Sequence, residues 1–452
     1  MQIVIVGAGT VGFDLAVQLQ RAGHDVGLVE KHTDRCAEIR DKLDILVVEG
    51  PGSSPRALID AGLREAQMVL AVTSVDEVNI LVCGLAAQFG VKTRIARVRN
   101  PEFTGSRARV NLTGLGVTRV IDPERIIVRV IHNIARIPDV VEVFSYHDDE
   151  ILIARHVMKP EMPIIGKSLV QILQEAGSDR FLSVALRRDG EARIPAGDDV
   201  IRPGDDVTTL FRAATLPRYL EFLGLSGRKV RKAIVAGESL TAVRLCAALE
   251  EWVEDVLLID PDAAHGQTAA ERLDGVEVIH GDATDRAVLA ENNVGAADLF
   301  VGAGRITADN VMGALLARSV GAGRVVAVSD EPSNNRLFRE LGVDHVVSPR
   351  RLMAQEIMDV IHRGRRSMEL HLRDMPLESL LIRADPGSRV TRGPLLKVWR
   401  PLRSRAIVGA VVHEGKTIIP RGDTHIAAGD DAIVITEERQ VGKIQKLFGG
   451  KR

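Results

Sequence analysis

The sequence predicts an α/β protein built from two Rossmann-like parallel-sheet domains, each followed by a small α/β C-terminal subdomain. Short apolar runs rich in Val, Ile, Leu and Ala alternate with amphipathic stretches of helical length. A glycine-rich turn follows the first run, and the opening stretch is restated 230 residues later. Short continuous runs of this make-up read as parallel strands buried on both faces, and their alternation with helices reads as right-handed βαβ units.

The elements follow in order. "IVIV" (3–6), "VGLVE" (26–30), "ILVVE" (45–49) and "MVLAV" (68–72) are the first strands, and 33–43 and 76–89 have helical spacing. The alternation runs to about Ile137. "AIVAGESLTAVRLCAALEEWVEDVLLIDPD" then repeats the start, with Gly237 on Gly7 and Asp260 on Glu30 at one fixed spacing. Further on, "VVEGPGSSPRAL" answers "VIHGDATDRAVL" and "GVTRVIDPERI" answers "GVDHVVSPRRL". After each Rossmann-like segment come short β-type runs, where "IPAGDDVIRPGDDVTTL" (194–210) matches "IPRGDTHIAAGDDAIVI" (419–435) as a two-strand signature with Pro/Gly/Asp turns. "YHDDE" (146–150) reads as a hairpin turn. The expected domains are therefore 1–139 and 230–366 for the nucleotide-type units, and 140–225 and 367–452 for the small modules. The short basic stretch Leu225–Lys232 is the expected linker.

At 452 residues the chain is several times the ~150 of a typical domain, so several cores are expected. With 59 Lys and Arg against 61 Asp and Glu, the balance gives no reason to expect nucleic acid as a partner. Cys36, Cys83 and Cys246 lie far apart and form no CxxC pair, which fits a reducing cytoplasm and suggests neither a disulfide framework nor a zinc site. The strand-like run begins at residue 2, so no export signal is expected. No window of roughly 18 apolar residues occurs, so any membrane role is expected to run through a partner.

Gly7-x-Gly9-x-x-Gly12 between a strand and a helix supplies a tight turn, close backbone approach to a pyrophosphate and close helix packing. The helix N-terminus adds unpaired N–H groups and a positive dipole end. Glu30 closes the second strand, where it can accept both ribose hydroxyls and repel a 2′-phosphate, favouring NAD or an adenine nucleotide over NADP. Thr73 and Ser74 belong at the carboxyl edge of the sheet, and Arg97 on the next strand is within reach of phosphates, with Ala327 expected as its second-copy equivalent. The turn is not a P-loop, since it lacks the GxxxxGK[ST] that places a lysine for a γ-phosphate. In the second copy the turn reads Gly237, Ser239 and Ala242, with Glu238 adding negative charge; Asp260 and Asp282 of "GDAT" remain candidates for ribose and adenine. That site admits three readings: a dinucleotide, an adenosine held without tight phosphate contacts, or an empty structural repeat.

A dehydrogenase needs a substrate pocket facing the nicotinamide, usually with His, Lys or Tyr as acid or base. Here each sheet is followed by only a small β-rich module, with no HExxH, HxH or GxSxG motif. No catalytic residue and no metal ligand is therefore expected.

"GAGTVG", Glu30, "AVTSVDEVN", "RIARVRNPEF", "VIHGDATD" and "AIVGAVVHEGKTIIPRGDTHIAAGDDAIVI" together resemble the Trk potassium-uptake regulatory subunit (TrkA) family, essentially along the whole chain. That resemblance implies two tandem regulator-of-K⁺-conductance (RCK) units. It implies a peripheral protein at the cytoplasmic face of the inner membrane, a homo-oligomer (dimer or tetrameric ring) under a membrane-embedded potassium-translocating subunit of the TrkH/TrkG type. It also implies NAD(H) or an adenine nucleotide (ATP or ADP) as a gating ligand, and carries ligand contacts onto Gly7, Ala8, Gly9, Thr10, Val11, Glu30, Thr73, Ser74 and Arg97. Asp260 and Asp282 match acidic family positions, whereas Ser239 and Ala242 depart from the glycine-rich pattern. The alternatives carried from the residues are an NAD-dependent oxidoreductase and a nucleotide sensor for another transporter.

Overall fold

The computed structural model describes residues 1–104, 108–147, 149–177, 181–331, 334–363, 368–371, 377–402 and 404–449. Asp148 of the expected hairpin turn and the expected boundary at 366/367 lie outside them. Contacts divide the chain into two compact units. One comprises 1–129, 234–252 and 256–357; the other comprises 130–233, 253–255 and 358–452.

In the first unit, β1 (Gln2–Val6), β2 (Asp25–Glu30), β3 (Leu46–Glu49), β4 (Met68–Ala71), β5 (Thr93–Arg97) and β6 (Arg119–Ile121) form a parallel sheet in the order β3-β2-β1-β4-β5-β6. β1, β2 and β4 are buried along nearly their whole length because helices cover both faces, which is why they read as apolar runs without alternation. The predicted helices at 33–43 and 76–89 are observed at Thr33–Lys42 and Asp76–Gln88.

The small modules belong to the second unit. β7 (Val140–Tyr146), β8 (Ile151–Val157), β9 (Phe181–Arg188), β10 (Glu191–Arg193) and β11 (Asp206–Arg212) form an antiparallel sheet in the order β10-β9-β11-β8-β7.

The second Rossmann-like sheet, in the first unit except for Lys232, Ala233 and Asp255, is β12 (Lys232–Ala236), β13 (Asp255–Asp260), β14 (Glu277–His280), β15 (Leu299–Gly302), β16 (Arg324–Val328) and β17 (His345–Val347), with the same strand order as the first. The last sheet, in the second unit, is β18 (Met368–His371), β19 (Leu377–Arg383), β20 (Ala406–His413), β21 (Lys416–Ile418) and β22 (Asp431–Glu437), in the order β18-β19-β22-β20-β21. Counted from its own first strand, this order is that of β7–β11 read from the opposite edge, so the duplication extends to topology.

Within the second unit the two antiparallel sheets share one core, in which Val184 and Leu210 meet Leu377, Ala410 and Ile433. A hydrogen bond from Tyr146 Oη to Ser379 Oγ at 3.1 Å crosses it.

The two-strand signatures form only one long strand each, β11 and β22. Pro195, Gly197 and Pro203 cannot sustain a ladder over 194–203, which pairs there only through an isolated bridge between Ser168 and Val200. The side chains of Asp199 and Asp205 instead accept the backbone N–H groups of Ala196 and Arg202.

Candidate nucleotide-binding cleft

The carboxyl ends of both Rossmann-like sheets open onto one cleft of about 890 Å³ within the first unit. The first copy contributes Gly7, Gly9, Thr10, Val11, Glu30, Thr73, Ser74 and Arg97 to its walls. The second contributes Ser239, Thr241, Arg305 and Arg350, among others. An open parallel sheet binds ligands at this edge.

The three glycines of the first turn differ in what they require. Gly7 has φ +99°, a conformation that L side chains rarely adopt. A Cβ on Gly12 would lie 1.9 Å from the Gly7 carbonyl oxygen, so that glycine lets the helix Thr10–Arg21 seat on the turn. Gly9 has ordinary φ −60°, and a Cβ there would meet nothing within 4 Å. Gly9 is also the N-cap of that helix and offers no side chain to it, so the first N–H groups face the cleft without a side-chain acceptor.

Glu30 is 8% exposed. Its Oε2 accepts the Ala8 N–H at 2.7 Å, and its Oε1 accepts those of Lys31 and His32 at 2.9 and 3.1 Å. A carboxylate offers about four acceptor positions. Three are filled from the backbone, leaving room for one ribose hydroxyl unless the Ala8 bond is exchanged. Ala8 is buried behind the turn and meets the cleft only through this bond.

Asn79 positions the next wall. Its Oδ1 accepts the Thr73 N–H at 2.9 Å, and its Nδ2 donates to the Thr73 and Arg97 carbonyls at 3.1 and 2.8 Å. Arg97 Nε is buried without a hydrogen-bond partner. Burial and the neighbouring Arg99 push the Arg97 pKa down, while Glu124, Asp76 and Asp330 oppose that shift. A guanidinium keeps its charge under such pressure, so Arg97 is a cation held beside the cleft short of acceptors. Glu124, 9% exposed, has Oε2 without a partner, and burial raises its pKa.

The second copy repeats the scaffold but not the opening. Asn310 Oδ1 accepts the Gly304 N–H at 2.6 Å, and its Nδ2 donates to Val328 O at 2.9 Å. Asn310 thus stands for Asn79 and Val328 for Arg97, both at an offset of 231 residues. The expected counterpart of Arg97, Ala327, is therefore corrected to Val328, one residue having been gained between the second turn and this strand.

Gly237 has φ +129°, and a Cβ on it would lie 2.2 Å from Gly304 N, because the loop after β15 lies directly on the turn. Ser239 caps its own helix, Leu240–Leu249, by accepting the Ala242 N–H at 3.0 Å, and its hydroxyl donates to the Ala303 carbonyl. Asp260 is fully buried. Its carboxylate meets His265 Nδ1 at 2.5 Å and the Asp262 N–H at 2.8 Å. Asp282 is turned to its own loop, accepting the Thr284 N–H and hydroxyl. Of the second-copy candidates, only Ser239 lines the cleft; Gly237, Asp260 and Asp282 do not.

Sequence reasoning missed Lys31, His32, Arg99, Glu124, Arg305 and Arg350 as cleft residues. Arg99 was signalled by its alternation with Arg97 in "RVRN". The second-copy arginines carried no local signal, because nothing in the sequence says that the two carboxyl edges share a cleft. Among the described residues no group of His, Cys, Asp and Glu is arranged to hold a metal ion, and no helix is long and apolar enough to cross a membrane.

The family model for the TrkA-N domain matches residues 3–123 and 233–349, and that for the TrkA-C domain matches 399–449. The Trk system potassium uptake protein TrkA homolog of Archaeoglobus fulgidus is 30% identical over 450 residues, covering 99% of this chain and 100% of that protein. The Trk system potassium uptake protein TrkA of Azorhizobium caulinodans is 28% identical, covering 99% and 98%. Among solved structures, the GsuK channel bound to NAD has a TM-score of 0.64 at 18% identity, covering 99% of this chain and 78% of that one. The GsuK RCK domain has a TM-score of 0.62 at 18% identity, covering 98% and 94%. At that identity the likeness to these structures is one of fold.

Proposed function

We propose, because this chain belongs to the TrkA family of Trk system potassium uptake proteins, that it is the nucleotide-binding regulatory subunit of such a system. It senses NAD(H) or an adenine nucleotide and biases a membrane-embedded potassium-translocating partner from the cytoplasmic face, as a homo-oligomer.

The observation that carries the nucleotide reading is the open helix N-terminus at Gly9. The other two glycines of that turn are required by backbone conformation or packing; Gly9 is required only if something outside the chain approaches the backbone. Exposed N–H groups at the positive end of a helix dipole suit a pyrophosphate, and the under-partnered Arg97 cation suits its charge. Glu30, already holding the turn through Ala8, offers a ribose its remaining lone pair. The ligand acts by binding one conformation better than another, not by being consumed.

One observation favours the oxidoreductase alternative: a buried carboxyl with a raised pKa, Glu124, faces the cleft, and such groups serve as acids and bases elsewhere. One experiment separates the two. Potassium flux is measured in liposomes holding the partner subunit, with nucleotide turnover followed in the same sample. Flux that responds to nucleotide without stoichiometric NADH oxidation or ATP hydrolysis is the expected result; flux that requires turnover by this subunit overturns it.

A further inference from the structure

The second copy stands closed against its own ligand, yet it presents an arginine to the ligand cleft of the first. Arg305 follows β15 at the position that Ser74 holds after β4, at the offset set by Asn79 and Asn310. A phosphate on the turn of its own copy is blocked by Gly304 against Gly237 and by the hydroxyl of Ser239. Arg305 is exposed and lines the shared cleft; it makes no hydrogen bond or salt bridge among the described residues, and Asp262 of its own copy is a charged neighbour whose pKa it helps to lower. Arg350, the other second-copy cation in the cleft, is instead committed at both Nε and Nη2 to the carboxylate of Asp14.

Ion pairs between the copies fix this wall in place. Arg244 donates to both oxygens of Asp122 at 2.9 and 2.8 Å and to the Arg99 carbonyl at 2.6 Å. Arg119 pairs with Glu356 at 3.1 Å. By the repeat, Arg244 stands where the first copy has Asp14, and Arg350 stands where it has Glu124. The charges are thus exchanged between equivalent positions. A first copy facing a first copy would set Asp14 against Glu124, and a second facing a second would set Arg244 against Arg350, so the charges favour unlike pairing.

We infer that the nucleotide site is composite: the first copy holds the nucleotide by its turn and ribose, and Arg305 of the second copy binds the phosphate oxygens that the turn leaves open. The inference rests on the nucleotide reading above and adds to it a specificity-determining contact from the other copy. Charge-assisted guanidinium–phosphate bonds are the chemistry expected of an exposed arginine whose donors no carboxylate yet fills, and phosphate would compete there with the more distant Asp262.

The test is calorimetric titration of the full chain with AMP, ADP, ATP and NADH, before and after Arg305→Gln and Arg305→Lys. Arg305→Gln is expected to weaken ADP, ATP and NADH about tenfold and AMP by less than about twofold, with Arg305→Lys intermediate. Because Arg305 is exposed, the melting temperature without nucleotide should not move, which separates a contact from a folding defect. Unchanged affinities, or an equal loss for all four ligands including AMP, would overturn the composite site while leaving the nucleotide reading intact. Failure of the unaltered protein to bind any of the four would overturn the nucleotide reading itself, and this inference with it.

Discussion

Gly7, Gly9 and Gly12 lack a side chain for three different reasons, and the difference makes the residue-scale predictions specific. Gly7 and Gly12 are fixed by φ and by the 1.9 Å approach of a backbone oxygen, so replacing either disturbs the fold. At Gly9 the added atoms would project into the open cleft. Gly9→Val should therefore leave the melting temperature within a few degrees of the parent and weaken NADH and ATP by more than tenfold in calorimetry. Ser239→Val, at the equivalent place in the self-capped copy, should cost about 1 kcal/mol of stability for the lost cap and leave affinity nearly unchanged. Binding should saturate near one nucleotide per chain. Equal affinity losses from the two substitutions would contradict the closed second turn. Glu30 makes a second prediction. Glu30→Gln removes the charge that repels a 2′-phosphate and sets an amide N–H against at least one of the three backbone N–H donors now held. NADH should bind more weakly, while the preference for NADH over NADPH narrows. An unchanged preference places the ribose elsewhere.

At the scale of elements, the Rossmann-like strands and their covering helices were legible because burial on both faces writes an apolar run and amphipathic spacing writes a helix. The first-copy site was legible because its residues sit at a turn, a strand end and the next strand end of one motif. What could not be read was side-chain commitment. Asp260 looks like Glu30 in sequence, and both accept backbone N–H groups, but the side chain of His265 occupies the second carboxylate oxygen of Asp260 alone. In the tract Ile194–Leu210 the turn aspartates were legible, since Asp199 and Asp205 do serve turns, but only Asp206–Arg212 forms a long strand where two were expected. The edge strand β17 carries a further consequence. His345 is buried, and desolvation, helped by Arg324 and Arg339, lowers its pKa to about 3. In the unfolded chain a histidine titrates near ~6.5. The folded state therefore binds the proton less well, and stability present above about pH 6.5 is lost as the pH falls toward about 3. Between pH 7 and 5 this one group should cost about 2 kcal/mol. Denaturant melts of His345→Leu should show a shallower loss of stability over that interval than the parent. Parallel curves would mean that His345 takes up its proton in the folded state as well.

At the scale of the molecule, one compact unit gathers both Rossmann-like copies around the cleft, and the other gathers both antiparallel sheets on a common core. A ligand confined to the first unit can influence a membrane partner only through its differential affinity for two states of the protein, about 1.4 kcal/mol for each tenfold difference. Tight binding alone moves nothing. A change that abolishes binding should therefore silence regulation without unfolding the chain, and a change that merely scales affinity should be overcome by more nucleotide. A host lacking its own Trk regulatory subunit, given this gene and its cognate membrane subunit, should regain growth at low external potassium. Gly9→Val should lose most of that rescue while the purified variant still melts cooperatively. Arg305→Gln, weakened only about tenfold, should regain flux in liposomes when nucleotide is raised by the same factor. Full rescue by Gly9→Val would mean that the first turn does not govern potassium uptake. A deficit in Arg305→Gln that no nucleotide concentration repairs would place that arginine in the coupling between states, beyond the binding step.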